Sequence, residues 1–195
     1  MKHEGSGSND LGLTDHQGSL LRLYEELLRT LALPQRMVSA SDTPRLWSRH
    51  IVDGLRGAKL VPARASLAYD LGSGAGLPGI PIAVARPELA VVLAEVRRRR
   101  SAFLELVVRE LALPNVRVHV GRAEDLNPGA DACFARAFRR PRECWRIAEP
   151  LLSERGVLLY WAGSRAEISV EGLSIEAFLM PELADAGPVV MMARQ

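Results

Sequence analysis

Apolar residues along the chain recur first at helical spacing. Leucines and one tyrosine repeat every three or four residues over 20–31, and Thr14 and Gln17 just before them have the spacing of a capping box. A second helix is expected over about 44–55, because it begins at a proline that suits a first helical turn. These two segments predict an N-terminal helical cap over residues 13–62.

After the cap, short apolar runs alternate with longer helical ones. Strands are predicted at 66–71, 89–94, 116–120, 132–135 and 156–161, with helices at 77–85, 101–111 and 142–152. Three last apolar runs are expected to form an antiparallel ribbon, at 168–173, 175–179 and 189–192. This alternation implies an α/β fold with a doubly wound, mostly parallel sheet. We therefore expect one domain over 13–195, with a Rossmann-like core at 63–195.

Composition limits the class of protein. Hydrophobic residues make up 48% of the 195 residues, as in ordinary globular domains, and no apolar run approaches the ~18 residues of a membrane span. Residues 1–12 are polar, which predicts a disordered leader rather than a signal peptide. Cys133 and Cys144 have neither a Cys-x-x-Cys pairing nor a zinc-ligand spacing. We expect free thiols, no metal site and a cytoplasmic protein.

The basic charge is concentrated in one stretch of the chain. The formal net charge is only +2, yet residues 97–146 hold twelve arginines and six acidic residues. Basic clusters of this kind favour polyanions such as RNA. Because nearly all basic residues of the chain are arginines, the cluster also fits a general arginine bias without a binding role.

A glycine-rich loop follows the first predicted strand, where open α/β sheets bind their ligands. It reads DLGSGAGLPGIP over 70–81, and Gly72, Gly74 and Gly76 allow a tight turn and close approach of a ligand to the backbone. A dinucleotide-binding loop has the spacing G-x-G-x-x-G, whereas Leu77 stands here at the third glycine position. This difference disfavours a nicotinamide dehydrogenase.

Two acidic residues indicate which cofactor the loop holds. Asp70 lies two positions before the first glycine, where a carboxylate repels a pyrophosphate but can hold the ammonium of a methionine moiety, directly or through water. Glu95 ends the next strand, where a carboxylate can accept both ribose hydroxyls. The loop therefore predicts S-adenosylmethionine (SAM) and a methyltransferase. The cofactor-binding candidates in this region are Asp70, Gly72, Ser73, Gly74, Gly76, Leu77 and Glu95.

Several short segments, taken in order, resemble one methyltransferase family. They are LPGIPIAVARPEL after the loop glycines, the RH-x-x-D motif at 49–53, GRAED at 121–125 and ARAF at 135–138. Over about 13–163 the chain resembles the RsmG family, also called GidB, whose members methylate N7 of a guanosine in small-subunit ribosomal RNA. The resemblance implies a class I SAM-dependent methyltransferase that acts on 16S ribosomal RNA or the small subunit. We further expect a monomer.

The resemblance also implies roles for particular residues. Cofactor contacts are expected at Gly72, Leu77, Ala123, Glu124 and Arg136, with Glu95 at the ribose. The substrate-positioning candidates are Arg136, Arg49, His50 and Asp53, for which a surface ion pair or a structural network is the alternative. The RNA-binding candidates are Arg97, Arg98, Arg99, Arg100, Arg139 and Arg140.

The implied reaction needs no catalytic base. Guanine N7 has a free lone pair and carries no proton, so its attack on a sulfonium methyl depends on alignment and exclusion of water. We therefore expect binding residues, and no general base, to determine the rate.

The chain departs from the family pattern at four places. Arg36-Met37-Val38 replaces Asn-Leu-Thr, Arg98-Arg99-Arg100 replaces Gly-Lys-Arg, Ala162 replaces a lysine before Gly163, and Gly187-Pro188 replaces Arg-His. The replaced groups are expected to touch RNA or to order the site. Two alternatives therefore stay open: a methyltransferase acting on another RNA or a small molecule, and a non-catalytic protein that binds SAM or RNA.

Overall fold

Seven strands form one sheet in the part of the chain that the structure describes. This computed structural model describes residues 12–163, 168–179, 183 and 186–195, so the predicted leader lies, except for Gly12, outside the described residues. The strands are β1 (Leu67–Leu71), β2 (Ala90–Glu95), β3 (Val116–Val120), β4 (Ala130–Arg136), β5 (Leu152–Trp161), β6 (Leu173–Phe178) and β7 (Val189–Arg194).

The strand order is β3-β2-β1-β4-β5-β7-β6. Strands β1 to β5 pair in parallel, and β7 is antiparallel to both of its neighbours, β5 and β6. Chain order reverses direction across the sheet between β1 and β4, which is the switch point at which such sheets bind ligands. The predicted α/β fold with a doubly wound, mostly parallel sheet is confirmed.

Helices precede β1 and connect the strands. They are α1 (Asp15–Leu27), α2 (Asp53–Leu60), α3 (Gly79–Ala85), α4 (Arg98–Glu110) and α5 (Pro141–Ala148). Wider π-helical turns occur at Leu28–Ala32 and Leu46–Val52, and tighter 3-10 turns at Ala40–Arg45 and Ala123–Asp125. The helix predicted over 44–55 is therefore longer than expected and changes its winding twice before it ends at Leu60.

The two faces of the sheet are covered differently. Buried residues of α1 to α4 pack against one face, where Leu21, Leu55, Ile82 and Leu104 belong to one apolar cluster. On the opposite face a second cluster contains Cys144 and other residues of α5. The predicted cap over 13–62 thus shares one core with the helices that follow β1 and β2, while its boundary with the core domain stays a prediction.

Local hydrogen bonds fix α1 against the glycine loop. The capping box is confirmed: the side chain of Thr14 accepts from the backbone of Gln17, and the side chain of Gln17 accepts from the backbone of Thr14. The amide of Gln17 also donates to the carbonyl of Val84 at 2.9 Å, at the end of α3. Further along α1, the buried hydroxyl of Tyr24 donates to the carbonyl of Ala75 at 2.8 Å. The cap therefore holds the loop directly.

Two predicted boundaries are wrong for identifiable reasons. The expected strand at 168–173 is absent from the described residues 168–170, because Gly172 forms a turn at φ +78° and β6 starts only at Leu173. The helix expected to reach residue 152 ends at Ala148, and β5 begins at Leu152 instead of 156. Polar residues 153–155 hid the start of this strand, because they interrupt its apolar run.

The Tyr24 hydrogen bond gives a direct test of how the cap is attached. Tyr24→Phe leaves the carbonyl of Ala75 without its donor, so we expect the free energy of unfolding to fall by about 1–2 kcal/mol. Urea denaturation measures this change. Leu23→Ala, at an exposed position of the same helix, is the control and should stay within about 0.5 kcal/mol of the parent. Equal losses in both variants would contradict the attachment.

Candidate active site

The glycine loop turns tightly at the carboxyl end of β1. Gly72 and Gly74 have φ values of +70° and +61°, in the left-handed region that favours glycine. A Cβ at Gly72 would also overlap the ring of Phe138. The backbone of Ser73 donates to the carbonyl of Ala94 at 3.0 Å, which holds the loop against the end of β2. The loop therefore presents its backbone beside the carboxyl ends of both strands.

Glu95 is fixed beside this loop by backbone donors. Its side chain is 4% exposed and accepts from the N–H of Gly74 at 3.0 Å and of Arg97 at 2.9 Å. The guanidinium of Arg100 lies 3.7 Å from the same carboxylate. A carboxylate has about four acceptor positions, so each oxygen keeps capacity for a ligand hydroxyl.

A cavity of about 410 Å³ opens over Glu95, and we call it the Glu95 cavity. Predicted residues that line it are Gly72, Glu95, Arg97, Arg100, Ala123, Glu124 and Arg139. The sequence interpretation missed Val96, Arg122, Ala137 and Phe138, which complete the wall. Phe138 had a signal in the ARAF motif, whereas the position of Val96 follows only from the turn after β2.

A second cavity, of about 260 Å³, adjoins the first across the loop, and we call it the Arg136 cavity. Both cavities share Gly72, Arg100 and Ala137. Predicted residues that line the Arg136 cavity are His50, Gly72, Ser73, Gly74, Leu77, Arg100 and Arg136, and the altered positions Met37 and Val38 also line it. Ser39 and Ala75 were missed. The glycine loop therefore contributes residues to both cavities.

Arg136 ends β4 and is held by the cap. Its Nη2 donates to the carbonyl of Arg49 at 3.0 Å and lies 2.8 Å from Nδ1 of His50. The same atom lies 3.5 Å from a carboxylate oxygen of Asp53. The four substrate-positioning candidates therefore do form one network, in which Arg49 takes part through its backbone. Asp53 pairs further with Arg56 at 2.8 Å.

The surroundings of His50 keep it neutral. Burial, followed by the positive charge of Arg136, lowers the pKa of His50 to about 4, against the opposing effect of Asp42. Its Nε2 lies 3.1 Å from a carboxylate oxygen of Asp42. Near neutral pH His50 is therefore an uncharged hydrogen-bonding partner, and both of its ring nitrogens are in use.

Asp70 lies behind the loop rather than in a cavity wall. Its carboxylate is buried and accepts from the backbone of Gly79 at 3.2 Å, at the start of α3. Burial raises the pKa of Asp70 to about 7, which the hydrogen bonds and Arg136 partly oppose. The predicted contact with a methionine ammonium stays a prediction. Because Asp70 lines neither cavity, its position favours a contact through water over a direct one.

Other predicted residues lie outside the two cavities. Gly76 faces the core, because a Cβ there would come within 2.7 Å of Ile80. Arg98 and Arg140 are exposed and line neither cavity, and Arg99 bonds to Gln35 on the cap. The RNA-binding candidates therefore divide into residues in the cavity walls and residues on the surface around them.

The altered family positions near the C-terminus are filled by close packing. The backbone of Ala162 donates to the carbonyl of Pro188 at 3.0 Å, and a Cβ at Gly187 would overlap the backbone of Ala162 and Gly163. Arg56 donates to the carbonyl of Gly187 at 2.9 Å. A residue larger than glycine at 187 would therefore not fit against the backbone of Ala162 and Gly163.

The described residues contain neither a candidate metal site nor a candidate membrane-spanning helix. No group of three or more His, Cys, Asp or Glu side chains could hold a metal ion there. Within the same ranges, none of the helices has the length and apolar character needed to cross a membrane.

The strand order, with a glycine loop after β1 and an acid after β2, defines a class I SAM-dependent methyltransferase. A crystal structure of a methyltransferase from Geobacter sulfurreducens has the same fold, with a TM-score of 0.62 at 15% identity, covering 91% of this chain and 90% of that one.

The profile of the family described as "GidB: rRNA small subunit methyltransferase G" matches residues 17–184, and the chain belongs to this family. Two relatives carry the name ribosomal RNA small subunit methyltransferase G. The one from Thermobifida fusca is 41% identical over 165 residues, which is 83% of this chain and 69% of the relative. The one from Frankia casuarinae is 42% identical over 154 residues, which is 76% of this chain but only 57% of the relative.

The residues around the loop fit SAM. The Glu95 cavity has a size typical of small-molecule sites. Its buried carboxylate can accept the two ribose hydroxyls, and the glycine backbone beside it leaves room for a ligand, since the atoms nearest to a Cβ at Gly74 would be 3.9 Å away. Ala123 and Glu124, two of the predicted cofactor contacts, line the same cavity.

The charge of Asp70 gives a pH prediction for cofactor affinity. Below about pH 7 this carboxyl is protonated and no longer attracts an ammonium group, so affinity for S-adenosylhomocysteine should rise several-fold as pH increases through about 7. Calorimetry at a series of pH values measures this. Asp70→Asn keeps an acceptor for Gly79 and should flatten the profile. Asp15→Asn, at an exposed position, should keep the parent profile, and an unchanged profile in Asp70→Asn would contradict the role.

Proposed function

We propose that this chain transfers a methyl group from SAM to N7 of a guanosine in 16S ribosomal RNA. Family membership supports the reaction class, and the names of the relatives supply small-subunit ribosomal RNA as the substrate. The family resemblance described above supplies guanosine N7 as the acceptor. One observation within the chain carries the proposal: a held guanidinium, that of Arg136, lines a cavity directly across the glycine loop from the cofactor-sized one. A methyl donor and an acceptor base would then meet at the loop.

The cofactor would be held by residues of both cavities. Glu95 would accept the ribose hydroxyls, Ala123 and Glu124 would contact the adenine end, and the backbone at Gly72 and Gly74 would face the methionine portion. When bound there, SAM supplies an electrophilic methyl group on a sulfonium. The chain contributes binding and orientation.

Arg136 would orient the acceptor. A guanidinium can donate to the O6 edge of guanine or to a phosphate, and either contact would hold the base with its N7 toward the loop. Met37 and Val38 give the same cavity an apolar wall that limits water. Alignment and water exclusion are the two contributions that this reaction needs most.

The network around His50 supports a mechanism without a general base. Nδ1 of His50 is engaged by Arg136 and Nε2 by Asp42, so neither nitrogen is available to a substrate proton. Guanine N7 has no proton to lose, and the site needs no acceptor for one. The expectation that binding residues determine the rate follows from both facts.

Arginines around the Glu95 cavity would bind the RNA backbone. Arg97, Arg100, Arg122 and Arg139 line the cavity, and Arg98 and Arg140 extend the positive surface outside it. Phosphate contacts of this kind position RNA without reading its sequence, and they weaken as salt increases. We place the activity in the cytoplasm, on ribosomal RNA or a small-subunit particle, and expect a monomer.

A second candidate is methylation of a different RNA. It is favoured by Met37 and Val38, which line the acceptor cavity at positions where the family pattern has Leu and Thr. A changed wall at the acceptor base is the kind of difference that alters substrate choice.

Labelled SAM separates these candidates. The chain is incubated with small-subunit particles or 16S RNA that lack the modification, and the nucleosides are identified by mass spectrometry after digestion. We expect label in 7-methylguanosine at one position. Label in another nucleoside or another RNA favours the second candidate, and cofactor binding without any transfer contradicts the enzyme.

Arg136→Lys tests the role of the guanidinium in the same assay. A lysine keeps the charge but loses the planar donor set, so kcat/KM should fall on the order of 10- to 100-fold. Arg109→Lys, at an exposed position where the arginine pairs with its neighbour Glu110, is the matched control and should be unchanged. Comparable activity of both variants would contradict the proposal.

A further inference from the structure

Asp42 lies next to the His50–Arg136 pair but belongs to no motif of the chain. It sits in the 3-10 turn Ala40–Arg45 that precedes the π-helical turns carrying His50. Its side chain is 16% exposed. One carboxylate oxygen lies 3.4 Å from Arg45 and 4.0 Å from Arg49, and the other lies 3.1 Å from Nε2 of His50. The second oxygen is therefore the hydrogen-bonding partner of His50.

The geometry on the two sides of the imidazole selects one protonation form. Arg136 can only donate, so the 2.8 Å contact from its Nη2 requires a bare Nδ1 on His50. The hydrogen of the neutral ring must then be on Nε2, and it points at Asp42. In the other neutral tautomer, the Nδ1–H of His50 would face an N–H of Arg136. The lone pair of Nε2 would then face the carboxylate of Asp42. The imidazolium form would place a charged N–H against the Arg136 cation.

The selected form completes the bonding of one nitrogen of Arg136. Nη2 carries two hydrogens, one donated to the carbonyl of Arg49 at 3.0 Å and the other to Nδ1 of His50. The same nitrogen also lies 3.5 Å from a carboxylate oxygen of Asp53, an ion pair that does not depend on the His50 tautomer. Nη1 makes only a long contact, 3.5 Å, to the carbonyl of His50. Within the described residues no hydrogen bond uses Nε of Arg136, and this side chain lines the Arg136 cavity. One end of the guanidinium is therefore anchored while its other donors remain for a ligand.

We propose that Asp42 is a positioning residue that acts through His50: it holds the Nε2–H tautomer, whose Nδ1 then fixes the guanidinium of Arg136 toward the acceptor base. The inference rests on the proposed function for the identity of that base. The inference goes beyond the proposed function in two ways. It assigns a role to Asp42, which lines neither cavity, and it makes His50 a hydrogen-bond acceptor for Arg136 rather than a base for the substrate.

Four substitutions, one of them also combined with another, separate this role from a general structural one. Asp42→Ala removes the acceptor for Nε2–H, and Asp42→Asn keeps one in its amide oxygen. His50→Asn places an amide oxygen near the position of Nδ1, where it can accept from Arg136 without help from Asp42. Asp42→Ala is therefore compared in the parent and in the His50→Asn background. Glu26→Ala, in an exposed ion pair of α1 with Arg29, is the control for loss of a surface carboxylate on the cap.

We expect Asp42→Ala to lower kcat/KM about tenfold in the parent, because the contact it supports is a hydrogen bond to a charged group. Asp42→Asn should stay within about threefold, and Asp42→Ala in the His50→Asn background should change the rate less than about twofold. Glu26→Ala should match the parent throughout. An equal loss from Asp42→Ala in both backgrounds would overturn the proposal.

Nitrogen NMR of the unmodified protein decides the same point without any substrate. The parent should show His50 as the Nε2–H tautomer and a slowly exchanging guanidinium signal for Arg136, assigned by its absence in Arg136→Lys. Asp42→Ala should lose the single tautomer and the slow exchange together. An Nδ1–H tautomer in the parent, or an Arg136 signal that Asp42→Ala leaves intact, would overturn the proposal even if the methyltransferase assay succeeds. If the methyltransferase assay shows no activity, the NMR result still tests the role of Asp42, because it needs no substrate.

Discussion

The contact between the guanidinium of Arg136 and the cap is the interaction on which the site depends. Arg136 is the last residue of β4, and the carbonyls it reaches belong to the π-helical turns of the cap. In a regular α-helix the carbonyls accept the hydrogen bonds of the helix itself. Short π-helical turns interrupt this pattern and are frequent at functional sites. The altered winding at 46–52 thus coincides with the place where the cap meets the sheet. Without this contact, the Arg136 cavity would lose one of its walls.

The sheet supplies the other half of the arrangement. Parallel strands β1, β2 and β4 end at one edge, so the glycine loop, Glu95 and Arg136 come together although they are far apart in sequence. Glu95 is held by backbone donors and Arg136 by the cap, which leaves both side chains little freedom. The proposed reaction needs alignment rather than proton transfer, and fixed groups suit that task. The chemistry and the rigidity of this site are therefore consistent with each other.

Much of the cofactor half could be predicted from the sequence, because its signals are local. The loop glycines, Glu95 and GRAED each follow a strand that is visible in the apolar pattern, and the sheet then brings them together. The part contributed by the cap could not be predicted in the same way. Helical periodicity does not distinguish π-helical from α-helical turns, and the link from Asp42 through His50 to Arg136 spans 94 residues (136 − 42) of chain. Phe138 was missed because its contact with Gly72 depends on the turn after β4.

The departures from the family pattern lie outside the hydrogen bonds that hold Glu95 and the glycine loop. Gly187 and Ala162 form a close backbone contact that leaves the sheet intact, and Met37 and Val38 line the cavity without disturbing the loop. The proposed arrangement places the adenosine of the cofactor in the Glu95 cavity, the acceptor base in the Arg136 cavity, and the methionine portion of the cofactor at the loop between them. A crystal structure with S-adenosylhomocysteine and guanosine monophosphate tests it most directly. We predict the adenosine against Glu95 and the guanine against Arg136, and a guanine bound elsewhere, or an adenosine in the Arg136 cavity, would contradict the account.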